Sequence, residues 1–415
     1  MTGTGFRNAV FAIALTECAV LAIQAAMLLH VFRLTGGSVP WVGAMVLATL
    51  ATSAFAPLLG ARIATIVKSN LRVVACCYAG CGVVLLSIAP LDHVWTLFWL
   101  HALASAAFWI GSPSRQAVIR ELAAAGTLMR ANSIDATFRG AAQISGAAIG
   151  AAVYAYSQSL IVTALTAAAA TLSSSAVLWA VAQSRRREGL PPAPGRREAA
   201  AAGPRLAAGG TTHSPSLDGL LSFVVAMTVV SGFAVGLLDP LLRPFIEENA
   251  LGGDASYAIW LAAFGAGCLV GPWIGNWAYR RIGAALTVFA AFFSEALVFA
   301  AWSQSGSVVL STVLFVAWGA NNYAFLPCQA NLVHTRVDPA RQPAVFALLD
   351  NASFLPQLLV AASIVAVLGD LSPTRLLQAG GLFYCGSFVL VLGFYALSRR
   401  IGRTRHAGAG TVRQR

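Results

Sequence analysis

The stretch RRREGLPPAPGRREAAAAGPRLAAGGTTHSPS, Arg185 to Ser216, divides the chain and decides how the rest is read. Arginine, proline and glycine break it too often for it to cross a bilayer or join a core, so it reads as a flexible linker. Crossing about 30 Å of hydrocarbon takes about 20 helical residues. Runs of that kind precede the linker near residues 8–30, 40–62, 72–90, 95–112, 133–156 and 159–182. They follow it near 218–239, 256–278, 284–303, 307–327, 344–368 and 375–398. The expectation is an all-α membrane protein of twelve transmembrane helices in two six-helix bundles. Residues 1–184 form the first bundle, 185–216 the linker, 217–398 the second bundle and 399–415 a basic tail. Composition agrees: 58% of residues are hydrophobic and 10% charged, less than half the roughly 25% charge of a soluble domain.

Charge placement orients the chain. If the linker and both ends share one side, 23 of the 27 Lys and Arg lie in the gaps on that side. Arg33, Arg243 and Arg375 lie opposite, and Arg139 falls inside a run. This is the positive-inside bias, so the expectation is a multi-pass protein of the cytoplasmic (inner) membrane with both termini cytoplasmic. The net charge of +12 then answers to lipid headgroups and topology, and nucleic acid is not expected as a partner. The first run lacks a small-residue cleavage site and reads as a span, not a removable signal. The seven cysteines show no paired ligand spacing and read as small buried hydrophobes, with no metal site expected.

The halves echo each other. Pro113 and Pro327 end the fourth and tenth runs and open loops, the first holding Arg115 and Arg120, the second His334 and Arg336; Asp135 and Asp350 then open the fifth and eleventh. The prolines are 214 residues apart and the aspartates 215, as in a duplicated six-helix unit. The segment SPSRQAVIRELAAAGTLMRANSIDATFRGAAQISGAAIGAAVY, Ser112 to Tyr154, resembles the same region of the major facilitator superfamily, closest to its branch of macrolide-efflux and enterobactin-export transporters. Pro113, Arg115, Gln116, Ala117, Arg130, Ala131, Asn132, Gly146 and Gly150 carry the likeness, and LTGGS at Leu34 to Ser38 adds to it. The resemblance implies a cytoplasmic loop motif at Gly60, Lys68 and Arg72, repeated at Gly275, Arg280 and Arg281. The motif's acid is missing: Ala64 and Tyr279 stand near its places, which removes one side of a charge latch.

Ionisable groups at membrane depth cost on the order of 2.5–3.5 kcal/mol and ask for a partner, water or a function. Glu17 stands about 13 Å into the first span, near the midplane, with Gln24 seven residues on along the same face. If that face lines the cavity, desolvation favours reversible protonation of Glu17; otherwise Glu17 joins helices by hydrogen bonds. Asp135, Arg139 and Gln143 form a stripe in the fifth span, and Arg139 needs a counter-charge from Asp135 or from another span. Asp350 with Asn351, and the adjacent amides Asn321 and Asn322, complete the candidate cavity. Glu295 reads as an interhelical hydrogen-bonding group at the rim.

No nucleotide-binding loop, zinc spacing or nucleophile motif appears, so no enzyme and no cofactor is expected, and an ion gradient, protons first, supplies the energy. The expected function is export of a small amphiphilic molecule of drug or siderophore type by rocking bundles. The proton-coupling residues are Glu17 and Asp135, and the protein is a monomer in the bilayer. Two alternatives are a lysophospholipid transporter and a transporter-like sensor that carries nothing.

Overall fold

The computed structural model describes residues 4–36, 39–67, 69–88, 93–124, 126–188, 219–249, 251, 253–364, 366 and 371–411. Most of the expected linker, and Lys68, lie outside the described residues.

Twelve helices follow in order: α1 (Thr4–Leu34), α2 (Val39–Val67), α3 (Asn70–Ile88), α4 (Val94–Ile110), α5 (Ser112–Leu122), α6 (Leu128–Ser157), α7 (Leu160–Arg187), α8 (Gly219–Glu248), α9 (Gly253–Ser303), α10 (Val308–Arg336), α11 (Gln342–Ser363) and α12 (Pro373–Thr411). These are not one helix per span. The α4 and α5 segments run as a single apolar stretch, Val94–Leu122. In contrast, α9 turns at Gly283, whose φ of 79° is open to glycine at little steric cost, and so crosses twice. Among the described residues ten stretches are long and apolar enough to cross a membrane. The second crossing of α9 and the 30-residue α6, whose apolarity is diluted by Gly, Ser, Gln and charge, bring the crossings to twelve.

Two expectations about loops fail. The chain after Pro113 is helical to Leu122, and the chain after Pro327 is helical to Arg336. Gly111 keeps a right-handed helical conformation (φ −71°, ψ −19°), and Pro113 occupies the first turn of α5, where its missing N–H costs nothing. Pro327 sits inside α10, a position that membrane helices tolerate. Arg115 is therefore not a loop residue: it is buried, 2% exposed. The helix of α12 likewise continues past residue 398 to Thr411, so the expected tail begins as helix.

Each bundle has its own core. That of the first is built from small and aliphatic residues such as Ala9, Ile13, Ala26, Ala164 and Ala168. That of the second is aromatic, with Trp260, Trp302, Trp318, Phe292, Phe299 and Phe315. The bundles nevertheless repeat one packing device. A Cβ at Gly60 would lie 2.0 Å from the Ile110 carbonyl oxygen, and one at Gly275 would lie 2.2 Å from that of Ala324. The glycines are 215 residues apart and their partners 214, matching the offsets of the prolines and aspartates.

Candidate functional site

A cavity of about 230 Å³ lies between the bundles. Its polar wall includes Gln116, Arg139 and Gln143 from the first bundle and Glu295, Asn322 and Asp350 from the second. Its apolar wall is aromatic, with Trp109, Phe264, Phe292, Tyr323, Phe325 and Phe354.

Glu17 on α1 sits behind this wall, buried, with both oxygens engaged. Oε2 accepts from Arg115 Nη1 at 3.4 Å and from Arg139 Nε at 3.2 Å. Oε1 accepts from the Gln143 amide at 3.4 Å. These bonds are longer than the 2.7–2.9 Å usual for charge-assisted pairs, so the cluster is held by several loose contacts and not by one tight one. From it, hydrogen bonds leave in two directions. Tyr323 on α10 donates to Gln143. On the other side Arg115 Nη2 donates to Ser112 Oγ at 3.5 Å, and Ser112 donates to Asp350 Oδ2 at 2.8 Å. Gln116 donates to Asp350 Oδ1 at 3.3 Å. One polar chain thus starts on α10, passes through Glu17 in the first bundle, and returns to α11 in the second.

From sequence, Glu17 either faces the cavity as a proton site or joins helices by hydrogen bonds. In the structure two guanidinium groups and an amide surround it, and among the described residues Glu17 is the one acid within ion-pairing distance of Arg115 and Arg139. The counter-charge of Arg139 is Glu17 on another span; Asp135, one turn earlier on α6, is not within ion-pairing distance. Gln24 also lies elsewhere, beside His101 and Ser105 at a cavity of about 10 Å³ inside the first bundle.

Asp135 is 8% exposed and its Oδ1 has no hydrogen-bond partner. It lines an annex of about 30 Å³ together with Asn132, whose side-chain nitrogen is also unpartnered. Gln116, Arg139 and Gln329 border both this annex and the main cavity. Asn322 lines the main cavity, whereas Asn321 beside it is half-buried and outside the lining. Asn351 donates to the Ala54 carbonyl of α2 at 3.0 Å and so joins the bundles without facing the cavity.

The loop-motif residues divide. Gly60, Gly275 and Pro113 serve packing. The Arg72 guanidinium lies 5.7 Å from the Trp179 ring centroid, and Arg280 and Arg281 are exposed. Tyr279, near the place of the missing acid, accepts from Asn331 Nδ2 at 2.8 Å, a neutral bond between α9 and α10.

Glu295 was undervalued from sequence. It is 3% exposed, lines the cavity, and accepts from Ser231 at 3.1 Å, Trp318 Nε1 at 3.3 Å and Tyr384 at 2.9 Å. Its three donors stand on α8, α10 and α12, as expected of an interhelical group, but it also faces the site. An acid at membrane depth was the signal that marked it.

The whole architecture recurs in solved structures. A bacterial homologue of the iron transporter ferroportin, outward-facing with soaked iron, superposes with a TM-score of 0.72 at 12% identity, covering 94% of this chain and 98% of that one. The human organic anion transporter MFSD10 gives 0.69 at 15%, covering 93% and 99%. The proton:xylose symporter XylE gives 0.68 at 12%, covering 95% and 97%. These identities speak for the fold alone. No curated protein matches the chain in sequence. The sequence pattern of the Major Facilitator Superfamily, however, matches residues 8–361, and the chain belongs to that superfamily as a membrane transporter, not an enzyme.

Proposed function

We propose that the protein exports a small amphiphilic compound, of drug or siderophore type, across the cytoplasmic membrane in exchange for protons, with the linker side facing the cytoplasm. The observation that carries this reading is the polar chain from Tyr323 through Gln143, Glu17, Arg115 and Ser112 to Asp350. It crosses the bundle interface twice beside the cavity, so rocking of the bundles must break and re-form it. Further bridges between the bundles, Asn351 to the Ala54 carbonyl and Arg120 to the Val337 carbonyl at 3.5 Å, add to those that rocking must break. At about 230 Å³ the cavity is below the 300–1,000 Å³ of drug-sized sites; a solute of that size enters only once the bundles part. The likeness of Ser112–Tyr154 to macrolide and enterobactin exporters supports export over import.

Between the two coupling candidates the geometry favours Asp135. Glu17 is fixed by three donors, whereas Asp135 has a free oxygen in an annex with room for water. A proton on Asp135 removes one of the anions near Arg139 and so changes the charge balance of the cluster that ties the bundles. The test uses proteoliposomes and a solute found by its stabilisation of the purified protein against heat. Asp135→Asn is expected to keep solute exchange at zero gradient and to lose accumulation driven by a pH gradient. Accumulation equal to that of the unaltered protein would remove Asp135 from the mechanism.

A further inference from the structure

We infer that the solute carried by this site is an organic cation, an amine or quaternary ammonium joined to an apolar body; the inference rests on the reading of the central cavity as the transport site. Four carboxyl groups, Glu17, Asp135, Asp350 and Glu295, belong to the cavity, its annex and its hydrogen-bond chain, against two guanidinium groups, Arg115 and Arg139. Both guanidiniums are bound to Glu17. The two carboxyls on the main cavity wall have only neutral partners: Ser112 and Gln116 at Asp350, and Ser231, Trp318 and Tyr384 at Glu295. Among the described residues no cation lies within ion-pairing distance of either. Two guanidiniums against the one carboxyl of Glu17 leave a surplus positive charge, which Asp350 meets through Ser112, whereas Glu295 faces neutral donors alone. A buried charge without a counter-charge is costly, so the Glu295 side of the wall is the part built for a positive ligand.

The remaining geometry says which kind. A carboxylate offers about four lone-pair sites, and three at Glu295 are already taken by donors. A hard cation such as calcium needs six to eight oxygen ligands, and this carboxylate has little left to give one. What it supplies is a fixed carboxyl group beside aromatic faces, whose negative charge a bound cation would stabilise. Phe292 stands three residues before Glu295 on α9 and packs on Phe325 with ring centroids 4.4 Å apart. Phe354 stands four residues after Asp350 on α11 and packs edge-on against Trp109 at 4.7 Å. Residues at these spacings share a helix face, so each acid is flanked by a ring pair, and rings attract organic cations through their faces.

The experiment compares two probes of one shape and opposite charge, benzyltrimethylammonium and phenylmethanesulfonate, in equilibrium binding to the purified full-length protein in nanodiscs. The ammonium is expected to bind at least tenfold more tightly than the sulfonate, and Glu295→Gln is expected to weaken it at least tenfold. Equal binding, tighter binding of the sulfonate, or no binding of the ammonium would overturn the inference; should Glu295→Gln fail to fold, the two-probe ratio on the unaltered protein decides alone. Counterflow of the bound ammonium is measured separately. Binding without counterflow would defeat the transport reading and leave the ligand class standing, and transport of an anion without ammonium binding would do the reverse.

Discussion

The two bundles share a scaffold and differ in how they hold charge. In both, a glycine lets a helix press on the backbone of its neighbour, Gly60 on Ile110 and Gly275 on Ala324. At the same offsets, Arg115 of the first bundle corresponds to Gln329 of the second, and Arg139 to Phe354. The first bundle therefore neutralises its buried acid internally, with Glu17 between two arginines in a core of small side chains. The second leaves Glu295 to three neutral donors in a core of rings. Backbone contact between helices is what the duplication preserved; the side chains facing the cavity were free to diverge, and that divergence makes the site asymmetric.

The largest effect comes from breaking the internal pairing. Glu17→Gln leaves two buried guanidinium groups facing an amide, and removing one partner of a buried pair costs about 3–5 kcal/mol. Glu295→Gln loses a charge that no cation was balancing, at about 1–3 kcal/mol for disturbed hydrogen bonds. Thermal unfolding of both variants in one detergent should therefore show the larger fall for Glu17→Gln. A larger fall for Glu295→Gln would mean that Glu17 is not the charge on which the first bundle depends.

The shared scaffold is tested by symmetric substitutions. Gly60→Ala and Gly275→Ala each place a methyl group against a carbonyl oxygen at 2.0 and 2.2 Å, which forces backbone to move and costs about 1–3 kcal/mol as overpacking. Similar losses of melting temperature are expected from the two. A neutral outcome at one position and a large one at the other would show that the repeat survives in sequence without equal packing.

Much of the fold was legible because a bilayer permits few solutions. Twelve apolar runs, a polar divider and the basic bias led to two six-helix bundles without reference to any contact. The boundaries that failed, at Pro113 and Pro327, failed because proline reads as a helix end, whereas Pro113 starts a new helix in its first turn, where no N–H is needed, and Pro327 lies within a membrane helix that continues past it. The site was legible as a set of costly residues and not as a set of pairs. Asp135 and Arg139 share a helix face at a spacing that predicts attraction, yet the long Arg139 side chain reaches Glu17 on α1, a choice fixed by which helices touch. Gln24 shows the same limit: it follows Glu17 along α1 by two turns, but at that height the helix faces its own bundle and not the cavity.

The outer ends of the bundles extend the contrast with the smallest effect. In the first bundle the closure is cationic, Arg33 of α1 donating to Gln158 after α6. In the second it is anionic: Glu248, at the end of α8 and beyond its apolar stretch, accepts from the Ser372 hydroxyl and from the Thr374 backbone N–H and hydroxyl. The Ser372 bond first, then those of Thr374, hold the Glu248 carboxyl below the ordinary glutamate range. A carboxyl depressed in the folded state lends stability above its unfolded pKa and loses it as pH falls through the folded one. Glu248→Gln should therefore lower the melting temperature slightly at neutral pH, and the difference should close on acidification below the usual carboxylate range. Because Glu248 is exposed, water and salt screen the effect, and raising the ionic strength should shrink it further. A difference between Glu248→Gln and the unaltered protein that stayed constant from neutral to acid pH would show that the clamp works through shape and not through charge.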